Sequence, residues 1–91
     1  MKTYELQPSE FDRHKSFYHK ARIEENMYGT KFLYSYETLV AYIKEGTLYK
    51  ASSAWSRTTG RHIASFSDCY ATNNPYLGKH DWDKREIPAC L

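Results

Sequence analysis

Residues 35–46 read SYETLVAYIKEG, and their reading decides the fold. As a helix, Leu39, Val40 and Ile43 would form an apolar stripe and Gly46 a C-cap. As a strand, Thr38, Val40, Tyr42 and Ile43 supply the β-branched and aromatic residues that suit a pleated surface. The strand reading is preferred. Glu45–Gly46 then becomes a tight turn into a second alternating run, TLYKAS at 47–52.

Working outward strengthens that choice. KFLYSY at 31–36 alternates Lys31, Leu33 and Ser35 against Phe32, Tyr34 and Tyr36. In FYHKARIEE at 17–25, Phe17, Ala21 and Ile23 point one way, and Tyr18, Lys20, Arg22 and Glu24 the other. Asn26 and Gly29, in ENMYGT, suit a chain reversal between these two runs. Residues 17–52 therefore read as an antiparallel meander of three or four strands. The N-terminal segment, residues 1–16, starts with MKTYELQ, an edge strand ended by Pro8, which lacks a ladder donor. SEFDRHKS at 9–16 fits either one helical turn capped by Ser9 or a loop.

A change of period marks the one main helix. In AWSRTTGRHIASF at 54–66, Ser56 is an N-cap preceded by Trp55 in the hydrophobic-staple position. Helical spacing puts Thr59, Ile63, Phe66 and Tyr70 on one face, directed at the sheet. Gly60 costs about 1 kcal/mol relative to alanine inside a helix. Asn73, Asn74 and Pro75 stop it. Residues 73–91 read as an extended C-terminal tail folded over the domain, with Trp82 as its aromatic anchor. The expected fold is a single small α+β domain spanning 1–91: an antiparallel sheet of about four strands, a helix over about 56–70 packed on it, and that tail.

Composition narrows the function classes. Ninety-one residues bury one modest core. The net charge of +2 arises from 13 basic and 11 acidic residues interleaved along the chain, too mild a balance to announce nucleic-acid binding. Aromatic residues reach 16%, with nine tyrosines, a share that large rings filling a small core account for and that would also suit an exposed contact surface. Cys69 and Cys90 form no CxxC motif and read as two thiols in a reducing cytosol, a bridge between them remaining open. No apolar run is long enough for a signal sequence or a membrane span, so no membrane partner is expected.

Three pieces resemble a family of small phage- and prophage-encoded proteins of no assigned activity: KSFYHKA at 15–21, LYSYETLVAYI at 33–43 and WSRTTGRHIASF at 55–66. HDWDKREIP near the C-terminus is similar more weakly. His19 stands where the family usually has glycine. The resemblance implies a phage accessory protein in a bacterial cytoplasm and implies no reaction.

The side chains offer no convincing catalytic set. Thr58, Thr59, Arg61 and His62 at a helix start could hold an anion, but they fit better a capped helix with Thr59 buried, Arg61 solvated and His62 bonded to a neighbouring strand. His14, His19, His62 and His80 with Asp12, Asp81 and Asp83 lack matched metal-ligand spacing. Cys69 and His62 lie two helical turns apart, about 10 Å, too far for proton transfer. No cofactor and no metal are expected. Tyr18, Lys20, Arg22, Tyr34, Tyr36 and Tyr42 can share a sheet face, an arrangement able to stack bases or anchor a protein. That face exists only if the helix covers the other one.

The expectation is a non-enzymatic phage protein that binds a host protein or protein–nucleic-acid complex, for instance as an anti-CRISPR-like inhibitor of a bacterial defence system. Its candidate contacts are the six sheet residues with Thr58, Arg61 and His62. The alternative is a nucleic-acid-binding accessory protein, and a third reading is a small metal-dependent hydrolase. Oligomeric state is not legible.

Overall fold

A computed structural model describes residues 2–7, 17, 20–53 and 55–88. Five antiparallel strands follow chain order across one sheet: β1 (Lys2–Glu5), β2 (Ala21–Glu25), β3 (Lys31–Ser35), β4 (Thr38–Lys44) and β5 (Thr47–Lys50). The fold is α+β, as expected, with one strand more than four because β1 joins the meander as its outer member. Helix α1 (Arg57–Tyr70) packs on the sheet, and a short α2 (Lys79–Lys84) follows. The C-terminal segment is therefore not extended throughout. The reason is Trp82, which is fully buried and pulls one helical turn and a half onto the core.

Alternation along paired strands fixes which face meets α1. Ala21 pairs with Ser35, and Ile23 with Leu33, which pairs onward with Ala41. All five are buried, and Ser35 touches α1 directly, so this is the covered face. Ile43 and Leu48 continue it, and Ile63 and Phe66 of α1 close it, each at most 3% exposed. The opposite face carries Arg22, Tyr34 and Leu39 in one row, and Glu24, Phe32, Tyr42 and Tyr49 in the next.

The ambiguity of residues 35–46 has a structural cause. Leu33 pairs with Ala41 but Tyr34 pairs with Leu39, so Val40 is an extra residue in β4. The bulge puts Val40 and its neighbour Ala41 both into the core. Val40 to Ile43 are consequently all buried, and a strand interrupted in this way loses its period of two.

Helix α1 begins as its sequence suggests. Ser56 Oγ accepts the Thr59 amide at 3.1 Å, closing the N-cap. Trp55 occupies the staple position, and its partner four residues into the helix is Gly60. A Cβ there would sit 2.4 Å from the indole ring, so the glycine is what lets Trp55 lie against the helix. Its propensity cost is offset by that contact.

The segment after α1 finishes the sheet. Asn74 accepts the Leu48 amide at 2.7 Å and donates to the Leu48 carbonyl at 3.0 Å, occupying the outer edge of β5 with a side-chain amide. Thr72 and Asn73 both donate backbone N–H groups to Gly46 O. Arg85 holds the carbonyls of Asn74 and Pro75, and Lys50, buried to 6% exposure, donates to Trp82 O at 2.9 Å.

Candidate functional site

The residues singled out from the sequence gather mainly at the β3–β4 end of the sheet. The turn there has two central residues, Tyr36 and Glu37, at φ 50° and 69°. Two consecutive left-handed residues match the twist of a tight hairpin, and Asn-Gly or Gly-Gly usually meets the demand. Tyrosine and glutamate take that conformation at a cost of roughly 1–2 kcal/mol each. What holds them is visible. The Tyr36 amide donates to Lys20 O at 3.0 Å, and Glu37 Oε2 lies 2.7 Å from Arg22 Nη1.

Arg22 is the centre of this end. Its guanidinium lies 4.4 Å from the Tyr34 ring centroid and also meets Glu24 Oε2 at 3.0 Å. The carboxylates, Glu37 first and Glu24 second, hold it still more firmly protonated than usual. Lys20 Nζ stands 5.7 Å from the centroid of the Tyr36 ring, which is 48% exposed. Two cation–ring pairs, Lys20–Tyr36 and Arg22–Tyr34, thus flank the turn, linked through the Glu37–Arg22 ion pair. Glu37 belongs with them and had no signal in the sequence, because Tyr-Glu is not a turn dipeptide.

Beneath the turn lies a buried polar network. Ser35 Oγ sits 2.8 Å from His62 Nδ1 and 3.0 Å from Thr59 Oγ1, which in turn accepts from Ser56 Oγ at 3.1 Å. His62 is fully buried, its ring packed edge-on to Phe17 at 4.5 Å and tilted against Tyr36 at 5.8 Å. The serine–histidine pair has the look of a nucleophile and its base. Ser35 is only 2% exposed, and the network ties α1 to β3 and underlies the Tyr36 ring. His62 therefore acts on the surface through Tyr36 and presents no face of its own.

The other candidates lie elsewhere. Tyr42 is 5% exposed, held between Phe32 and Tyr49 in a stack along three strands, with centroid separations of 5.9 and 4.9 Å. Thr58 and Arg61 are half-buried on α1. Tyr18, with the suggested turn at 9–16, His14, His19 and Cys90, falls outside the described residues. Cys69 is exposed, and partial burial with the nearby Asp68 carboxylate pushes its thiol up. Among the described residues no group of three His, Cys, Asp or Glu side chains is placed to hold a metal ion. No helix among them is long and apolar enough to cross a membrane.

One exposed feature escaped the sequence reading. The β2–β3 loop carries Met27 and Tyr28 at 86% and 84% exposure. Two large apolar side chains in a turn of Asn and Gly were the available signal. Beside them lies a groove of about 360 Å³, floored by Phe32 and Tyr42.

A family model covering residues 4–84 matches this chain, and its description is a family of unknown function, DUF8033. The chain belongs to that family. The matched span runs from β1 to the end of α2, so the buried network, the Tyr36–Glu37 turn and the Trp82 anchor all lie within the DUF8033 unit. No curated protein and no solved structure matches the chain.

Proposed function

We propose that this DUF8033 protein works by binding a protein partner through the β3–β4 end of its sheet. The observation carrying this reading is the Tyr36–Glu37 turn. The chain accepts two left-handed non-glycine residues there and presents Tyr36, with Lys20 and Arg22 beside it. Strain of this kind concentrates at functional positions. Tyrosine is also among the side chains most able to anchor a protein interface. The resemblance to phage-encoded proteins suggests a host protein, including a component of a bacterial defence system, as the class of partner. A nucleic-acid partner has less support, since Arg22 is already engaged by two carboxylates.

The test sets stability against binding. Tyr36→Gly relieves the left-handed strain and removes the ring. It is expected to melt no lower than the wild-type chain while losing capture of a defined protein from bacterial lysate. Equal capture by both chains, or none by the wild type, overturns the proposal. Binding of single-stranded nucleic acid that falls steeply with salt would shift support to the alternative.

A further inference from the structure

The opposite end of the sheet has features that the proposed partner site does not use. The β2–β3 loop fixes the backbone that carries its two apolar side chains. Asn26 Oδ1 accepts the amides of Tyr28 and Thr30, each at 3.0 Å. The Asn26 amide donates to Thr30 O at 3.1 Å, and Gly29, at φ 82°, completes the reversal. Met27 and Tyr28 therefore stand out from a structured support, the most exposed large apolar side chains among the described residues. Little further ordering is needed to bury them against a surface.

Directly beside this knob is the groove floored by Phe32 and Tyr42, with Tyr28 on one wall and Lys44 and Glu45 on the other. Its roughly 360 Å³ accommodates a methionine-sized side chain. Lys44 and Glu45 are neighbours of opposite charge, both exposed, and neither makes an ion pair among the described residues. Knob, hole, cation and anion thus share one patch. A patch that contains both halves of each contact meets the compositional requirement of an isologous interface, in which the same surface serves both copies. The net charge of only +2 opposes the approach of two copies weakly.

We infer that the chain self-associates into a twofold dimer through this end. Met27 of each copy enters the other's Phe32–Tyr42 groove, and each Lys44 faces the partner's Glu45. The patch comprises far fewer than the 20–30 residues a side of a standard interface, so the dimer is weak, with a dissociation constant in the micromolar range or above. It leaves the Tyr36–Glu37 turns at the far ends of both sheets, making the dimer bivalent for any partner bound there.

Sedimentation equilibrium on the full chain, from about 1 μM to about 1 mM, tests this. The expected result is an average mass rising with concentration toward twice that of the chain. Met27→Asp should weaken association at least about tenfold without lowering the melting temperature, because the side chain is exposed in the monomer. Lys44→Glu and Glu45→Lys should each weaken self-association, since each places like charges across the twofold. An equimolar mixture of those two variants should dimerise better than either alone, because both cross-axis pairs then become opposite in charge. A wild-type chain that stays monomeric throughout overturns the inference. So does a dimer indifferent to Met27→Asp, or a mixture no stronger than its separate components.

Discussion

Strand β4 is bounded by two turns of the same conformation built in opposite ways. At one end Glu45 and Gly46 take φ 53° and 79°, with glycine at one of the two left-handed positions. Gly46 O receives amides from Thr72 and Asn73, and the glycine has no room for a Cβ, which would lie 2.3 Å from Thr72 Oγ1. This turn is packed architecture. At the other end Tyr36 and Glu37 take φ 50° and 69° with no glycine, and both are exposed. The first turn is made easy by glycine and tied down at Gly46 by Thr72 and Asn73, although Glu45 stays exposed; the second is left costly and open. The difference teaches that backbone chemistry alone does not account for the Tyr36–Glu37 turn, because the same chain shows the easier solution nearby.

The comparison can be broken at its covered end first. Trp82→Ala removes a fully buried indole from the segment that holds the Gly46 turn, and should cost about 3–5 kcal/mol, read as a large fall in melting temperature. Gly46→Ala should cost about 2 kcal/mol, from the left-handed φ and the clash with Thr72 together; denaturant titration measures it. Glu37→Gly should act in the reverse direction. It relieves a left-handed residue and gives up only an exposed ion pair, so stability should rise by up to about 1 kcal/mol. A loss at Glu37→Gly as large as that at Gly46→Ala would erase the distinction between the turns.

The smallest effect lies away from both turns and serves as their control. Burial first, then the hydrogen bond to Glu25, raises the Tyr4 hydroxyl well above its ordinary value of 10.0, and burial raises Tyr70 as well. A raised acid keeps its proton longer when folded than when unfolded. Its stabilising contribution is therefore complete below pH 10 and disappears as pH climbs from there through the raised folded value. Tyr4→Phe should flatten this alkaline decline in a melting profile while leaving the variants at both turns with unchanged differences.

Much of this molecule was readable from its residues. Period-two alternation placed β2, β3 and β5, and Ser56 with Trp55 placed the start of α1. The assignment of Phe32 and Tyr34 to one side of the sheet followed from the same alternation. Where reading stopped, a long-range contact had replaced a local rule. Val40 breaks the alternation because a bulge is set by pairing with β3. Phe17 belongs to the core without belonging to a strand, since it packs against His62 across 45 positions of sequence (62 − 17). Trp82 was legible as an anchor, but nothing in KHDWDK announces that its burial coils residues 79–84 into a helix. The candidate site divided similarly. Lys20, Arg22, Tyr34 and Tyr36 were visible as a pattern, while Glu37 joined them only through the turn's geometry.

The amide of Asn74 has a consequence for the fate of the chain after partial opening. By matching both the N–H and the C=O of Leu48, one side chain stands where a sixth strand would begin. Any event that peels residues 72–88 away bares those groups and turns β5 into a template for another molecule's strand. At β5 the native edge is occupied by an asparagine, and a chain shortened before residue 74 should fail by precipitating through that edge rather than by simply melting.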